Sequence, residues 1–154
     1  MRHFLRAFGL LAWGFALCVA AFAAPERGRL LFQGELPLAG RVTGHTSDLP
    51  VVASRCVNCH AVVAPASVAA SAAASAPAIG TQAFGLALTP SGLTGAFKRR
   101  GGPPSRYDEA SFCRVLRTGI DPAHVILPRS MPRYDVADAD CGAIWSYLIR
   151  EKTR

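Results

Sequence analysis

Apolar residues recur at helical spacing along several stretches of the chain, and each stretch predicts a helix. The clearest is 108–118, where Phe112, Val115 and Leu116 form an apolar stripe between an acidic first turn and a closing Gly119. Further helices are predicted at 25–32, 49–61, 84–88 and 138–150. The pattern therefore predicts a small all-α domain of three to five helices joined by long loops.

Residues 1–23 carry a different pattern, a continuous apolar run behind a basic start. Arg2 and Arg6 supply the positive charge, and Ala21-Phe22-Ala23 offers small residues for cleavage before Ala24. This arrangement predicts a secretory signal peptide and export to the periplasm. The alternative is an uncleaved membrane anchor, for which the apolar run is short. Only in that case is contact with a membrane expected.

The remaining residues, 24–154, are long enough for one domain with a modest core. Within them, 64–78 consists almost wholly of Ala, Ser, Val and Pro. Repeated serines and the flanking prolines favour a mobile loop over a helix. We therefore interpret 64–78 as a flexible insertion without chemistry of its own.

Basic residues outnumber acidic ones, with 17 Lys and Arg against 10 Asp and Glu. Loss of Arg2 and Arg6 with the signal peptide leaves 15 basic residues, which is only a modest excess. An excess of this size is a poor indication of nucleic-acid binding. It suits the docking face for an acidic protein partner better.

The candidate chemistry centres on Cys56-Val57-Asn58-Cys59-His60. Two thiols separated by two residues and followed directly by a histidine form the attachment signature of c-type haem. Cys56 and Cys59 would each form a thioether with one haem vinyl group, and His60 would bind the iron. The alternatives are a thioredoxin-like dithiol and half of a zinc site, but no second ligand pair follows at zinc-ribbon spacing.

Two further cysteines, Cys113 and Cys141, remain after the signal peptide and the motif are set aside. An even pair in an oxidising compartment predicts a disulfide between them. Two buried free thiols are the alternative.

A second axial ligand for the iron must come from another part of the chain. The candidates are Met131, His124 and His45. Pro128 and Pro132 flank Met131 and would stiffen the backbone that aims its thioether at iron. The alternative for Met131 is a side chain that fills a gap in the core.

These motifs together resemble a known family. The haem motif, Ile79-Gly80, the segment Met131-Pro132-Arg133-Tyr134 and a terminal helix follow one another in the order found in class I c-type cytochromes. The stretch from Tyr107 to Asp140 is similar to small periplasmic monohaem cytochromes in particular. The resemblance implies a domain folded around one covalently attached haem c.

The resemblance also implies roles for single residues. His60 would be the proximal ligand and Met131 the distal ligand. Pro77 would offer the carbonyl that accepts a hydrogen bond from the proximal imidazole. The first and last helices would cross at a contact in which Gly28 and Phe32 meet Ile144 and Tyr147.

The predicted function is periplasmic electron transfer rather than catalysis, because an iron with two protein ligands has no site left for substrate. Arg129 and Arg133, near Met131, would then guide an acidic redox partner. One alternative is a haem-bearing subunit of a periplasmic dehydrogenase or oxidase complex. Another is a five-coordinate haem protein that acts on peroxide or senses a gas.

Overall fold

The computed structural model describes residues 24–60 and 85–150. Within these ranges the chain forms four α-helices, a 3-10 helix and two small antiparallel sheets. The helices are α1 (24–33), the 3-10 helix Cys56–Asn58, α2 (Pro90–Thr94), α3 (Glu109–Thr118) and α4 (Asp138–Ile149). The strands are β1 (Ala39–Arg41), β2 (Phe97–Lys98), β3 (Pro104–Ser105) and β4 (Arg133–Asp135). The expectation of an all-α fold is therefore wrong, because helices and strands both occur.

Helix α3 forms where the apolar stripe predicts it. The Asp108 carboxylate accepts a hydrogen bond from the Ser111 amide, and the Ser111 hydroxyl accepts one from the Asp108 amide. This reciprocal cap satisfies two backbone donors at the start of the helix. At the other end, Gly119 adopts a left-handed conformation with φ 72° and closes the last turn. The predicted helix over 108–118 is confirmed, with Asp108 as its cap.

The core lies where α1 and α3 pack against α4. Gly28 of α1 faces the carbonyl of Ala143, and a Cβ at Gly28 would overlap that oxygen. Phe32 and Tyr147 pack with their ring centroids 5.7 Å apart. The absence of a side chain at Gly28 thus lets the two helices approach closely. The predicted contact between the first and last helices is present.

The first sheet pairs β1 with β4, which are far apart in the chain. Gly40 lies opposite Tyr134 in the register. The Tyr134 ring packs against Gly40, where a Cβ would come within 2.9 Å of a ring carbon. Strands of three residues are too short to show a clear alternation of apolar and polar positions. The sequence pattern therefore predicts only loop at both places.

The second sheet is the hairpin of β2 and β3, which holds the basic run Lys98-Arg99-Arg100. Arg99 turns its guanidinium back onto the chain and donates to the carbonyl oxygens of Gly92 and Ser105. Lys98 and Arg100 are exposed. One of the three charges is therefore used to hold the hairpin against the end of α2.

Two predicted helices differ from the structure. In 49–61 only turns and the 3-10 helix Cys56–Asn58 form among the described residues. The helix predicted at 84–88 is displaced to Pro90–Thr94, where Thr89 caps the chain and Pro90 occupies the first turn. A proline is well tolerated at that position because its missing N–H has no helical partner there.

The predicted signal peptide (1–23) and the Ala/Ser-rich insertion (64–78) lie outside the described residues. Within 24–60 and 85–150, no helix has both the length and the apolar character needed to cross a membrane.

Candidate haem-binding site

The haem motif begins on a single tight turn. The Cys56 carbonyl accepts hydrogen bonds from the amides of both Cys59 (3.1 Å) and His60 (2.9 Å). These two bonds fold the motif so that the two cysteines and the histidine are brought within one turn of chain. Cys56 and Cys59 are not bridged to each other or to another cysteine. The local backbone thus presents two thiols and one imidazole together.

A second segment, residues 85–86, forms hydrogen bonds with the motif. The Gly85 amide donates to the Cys59 carbonyl at 2.8 Å, and the Leu86 carbonyl oxygen lies 2.9 Å from His60 Nδ1. A carbonyl oxygen can only accept, so Nδ1 carries the proton in this contact. The lone pair is then on Nε2. This arrangement fixes the tautomer and the orientation of His60 and leaves Nε2 as the ring nitrogen that could bind a metal.

Gly85 is needed for this contact for a steric reason. A Cβ at this position would overlap the His60 imidazole ring. Any other residue would therefore push the ring and the 85–86 backbone apart. A backbone carbonyl has no sequence signature, so Leu86 could not be identified from the sequence. Pro77, the acceptor implied by the family resemblance, lies outside the described residues.

Cys56 lies at the edge of the hydrophobic core and is half-buried. Burial raises the pKa of its thiol to about 11. A dithiol oxidoreductase needs the opposite shift, because the thiolate is the reactive form. The environment of Cys56 therefore argues against the thioredoxin-like alternative. Among the described residues, no three His, Cys, Asp or Glu side chains form a metal-binding cluster.

The predicted distal ligand, Met131, is half-buried and also packs against the edge of the core. Its amide donates to the Pro128 carbonyl at 3.1 Å, which forms a turn just before β4. Met131 lies in residues 119–132, the loop between α3 and β4 that we name the methionine loop. Helices α3 and α4 lie at the base of this loop. Cys113 and Cys141 are joined there as a disulfide, with their Cα atoms 5.7 Å apart. The cysteines pair as the sequence predicts, and the bridge encloses the whole methionine loop.

Tyr134 connects the methionine segment to the haem motif. Its ring is buried, and its hydroxyl donates to the Ser54 carbonyl at 2.9 Å. Burial raises the pKa of Tyr134, so the hydroxyl stays protonated and able to donate. Ser54 lies two residues before Cys56, and Tyr134 lies three residues after Met131. One hydrogen bond therefore connects the two segments that hold the predicted ligands. The only sequence signal for this link is that Tyr134 belongs to the segment that resembles class I c-type cytochromes.

The two arginines predicted to guide a partner occupy different environments. Arg129 is exposed in the methionine loop. Arg133 is half-buried, and its guanidinium donates to the carbonyl oxygens of Met131 and Leu127. Desolvation lowers the pKa of Arg133 from its ordinary value. Arg129 thus presents its charge to solvent, whereas Arg133 is engaged with the backbone of the loop.

The other candidate axial ligands are histidines on the surface. His124 is exposed in a turn with φ 62°, where its amide donates to the Asp121 carbonyl. His45 is exposed beside β1 and lines a polar groove with Arg41 and Asp48. Neither histidine belongs to the apolar surroundings that Met131 and Cys56 share.

The residues present fit a covalently attached haem. The donor set is two thiols in one turn, an imidazole whose Nδ1 is already held by a carbonyl, and a thioether at the edge of the same core. Arg55, directly before the motif, has a buried Nε without a hydrogen-bond partner among the described residues. A carboxylate such as a haem propionate is an acceptor that would satisfy it. The motif, the distal candidate, their apolar surroundings and the nearby Arg55 are all of the kind that a haem c requires.

Comparison of the chain with protein-family models, with curated proteins and with solved structures finds no match.

Proposed function

We propose that this protein is a periplasmic electron carrier with one covalently attached haem c, ligated by His60 and Met131. The observation that carries the proposal is the contact of His60 Nδ1 with the Leu86 carbonyl oxygen. His60 directly follows the pair Cys56 and Cys59 in the sequence. A histidine held in this way offers Nε2 to a metal. The sequence resemblance to class I c-type cytochromes supports the same reading.

Each residue of the site would make a distinct contribution. Cys56 and Cys59 would hold the haem through thioethers, and His60 would be oriented by Leu86. The bound haem supplies a one-electron change between Fe(II) and Fe(III). A thioether from Met131 is a soft ligand that favours the ferrous form, so a positive reduction potential is expected.

The surrounding chain would restrict the chemistry to electron transfer. With His60 and Met131 both bound, no position is left for peroxide, a gas or a substrate. The disulfide and the Tyr134 hydroxyl would hold the two ligand segments in place while the charge of the haem changes. Exposed charge on Arg129 would favour a brief encounter with an acidic redox partner, such as a periplasmic dehydrogenase or oxidase.

The proposal is tested by redox titration and carbon monoxide binding on purified protein loaded with haem. We expect a reversible one-electron change at a positive potential and no rapid binding of carbon monoxide to the reduced protein. Rapid carbon monoxide binding would contradict six-coordination and favour the peroxide or gas-sensing alternative. Stoichiometric co-purification with a larger oxidoreductase would instead identify a complex subunit.

A further inference from the structure

Arg133 departs from the usual behaviour of a surface arginine. It is the first residue of β4, and its neighbour Tyr134 points into the core. One Arg133 Nη atom donates to the Met131 carbonyl at 2.5 Å, and the other donates to the Leu127 carbonyl at 3.1 Å. A single planar guanidinium thus binds two backbone carbonyls of the methionine loop.

The place where this guanidinium lies is shaped by Gly119. This glycine ends α3 with φ 72°, and a Cβ there would overlap the guanidinium of Arg133. The Gly119 carbonyl also accepts a hydrogen bond from the Leu127 amide at 2.8 Å. Gly119 at the end of α3 and the carbonyls of Leu127 and Met131 therefore all contact the Arg133 side chain.

Arg133 binds backbone carbonyls rather than a carboxylate, as Arg99 of the β2–β3 hairpin also does. By contrast, Arg27 pairs with the Asp140 carboxylate. Arg117 pairs with that of Asp138 besides donating to the Val136 carbonyl. Within the described ranges Arg133 makes no ion pair, and its charge is satisfied by backbone carbonyls. Such a contact fixes backbone position, because a carbonyl cannot follow the side chain as a flexible carboxylate can.

We propose that Arg133 is a positioning residue that braces the methionine loop, so that the Met131 sulfur stays on the haem iron. This inference rests on the proposed function. Arg133 would act on the ligand through the Met131 carbonyl and through Leu127. It would not act as a charge that attracts a redox partner.

The test measures how readily imidazole displaces Met131 from the ferric, haem-loaded protein. Arg133→Gln should increase the apparent affinity for imidazole about tenfold, the effect of losing hydrogen bonds made by a charged group. Arg129→Gln is the matched control, because it removes the same charge from an exposed position in the same loop. We expect a change of less than about twofold there.

Arg133→Lys separates the brace from a docking charge. Lysine keeps the charge and an aliphatic stem but lacks the planar fork that reaches both carbonyls. We expect this variant to resemble Arg133→Gln in imidazole affinity. A lysine variant that matches the wild type in imidazole affinity, while the glutamine variant does not, would overturn the brace in favour of a charge effect.

Amide hydrogen exchange over 127–133 supplies a readout that does not depend on the iron. Exchange should be faster in both Arg133 variants than in Arg129→Gln. Haem-loaded variants with unchanged imidazole affinity and unchanged exchange would overturn the role of Arg133 alone. Wild-type protein without covalent haem would overturn the proposed function and the ligand role together.

Discussion

The two sides of the candidate haem site are built in different ways. On the proximal side, the motif occupies a 3-10 helix of three residues, and the neighbouring Val52 and Val57 are 63% and 46% exposed. On the distal side, the loop with Met131 is enclosed by a disulfide, two helices and a strand. Among the described residues, hydrogen bonds hold the proximal turn, whereas a covalent cross-link closes the distal loop.

This difference matches the bonds that each side is proposed to make to a haem. Thioethers from Cys56 and Cys59 are covalent, so the proximal turn would be held by the cofactor itself. A methionine–iron contact is a single reversible bond, and its persistence depends on how well the protein positions the sulfur. The disulfide, Arg133 and Tyr134 all contribute to that positioning.

The largest effect is expected from a substitution that removes the distal ligand and leaves the proximal attachment intact. Met131→Ala should abolish the near-infrared sulfur–iron charge-transfer band of the oxidised protein, because Met1 is the only other methionine in the sequence. The haem should stay attached, since both thioethers are on the proximal side. Absorption spectra before and after alkaline pyridine treatment measure the two properties separately. A surviving band would show that Met131 is not the ligand.

Removal of the disulfide should weaken the distal side. The bridge spans 28 residues, and the double variant Cys113→Ala/Cys141→Ala should lose roughly 3 to 4 kcal/mol of unfolding free energy. Urea unfolding monitored by the fluorescence of Trp145 measures this loss. Hydrogen exchange should rise more in the methionine loop than in the haem motif. A loss below about 1 kcal/mol would mean that the helices alone hold the loop.

A substitution at Gly85 should weaken the proximal side. In Gly85→Ala the new Cβ would overlap the His60 ring, and overpacking of this kind costs about 1 to 3 kcal/mol. We expect a lower thermal midpoint and altered histidine signals in the paramagnetic NMR spectrum of the haem protein. Leu86→Ala is the control, because the carbonyl remains and the removed side chain is 79% exposed. Equal effects of the two substitutions would argue against the carbonyl contact.

The smallest expected effect concerns the helix cap at the start of α3. Hydrogen bonds from the Ser111 hydroxyl and amide hold the pKa of Asp108 below its ordinary value of 3.8. The stabilisation is therefore present above that pH and is lost as the pH falls through the lowered pKa. Asp108→Ala should cost about 1 kcal/mol at neutral pH.

Asp108→Asn provides the matched comparison, because asparagine can accept the same hydrogen bond without titrating. Its unfolding free energy should stay near that of the wild type at neutral pH and should lack the acid-dependent loss that Asp108 contributes. Urea unfolding between pH 3 and pH 7, the range around the aspartate pKa, measures both. A wild-type acid dependence that Asp108→Asn leaves unchanged would contradict this cap assignment.

The long helices could be predicted from the sequence because their signals are local. Asp108, Gly119 and the stripe between them specify α3, and Gly28 with Phe32 indicates the contact of α1 with α4. Strands β1 and β4 could not be predicted, since they depend on pairing between residues nearly a hundred positions apart. Strands β2 and β3 pair locally, but two residues each are too few for an alternating pattern.

Some residues of the candidate site could likewise be predicted from the sequence, whereas others could not. Cys56, Cys59, His60 and Met131 could be selected from residue type and spacing. Gly85 and Leu86 could not, because one contributes the absence of a side chain and the other contributes a backbone carbonyl. Arg133 was predicted to guide an acidic partner because it lies near Met131 in the sequence. Its guanidinium instead packs into the space left by Gly119, a contact that the sequence does not reveal.

The central claim is that Cys56 and Cys59 carry a covalent haem. The most direct measurement is the intact mass and pyridine haemochrome spectrum of the full chain, expressed in a bacterium that matures c-type cytochromes. We expect one haem per chain that survives denaturation and is lost in Cys56→Ala/Cys59→Ala. A folded chain that emerges without covalent haem, with both thiols unmodified, would contradict it.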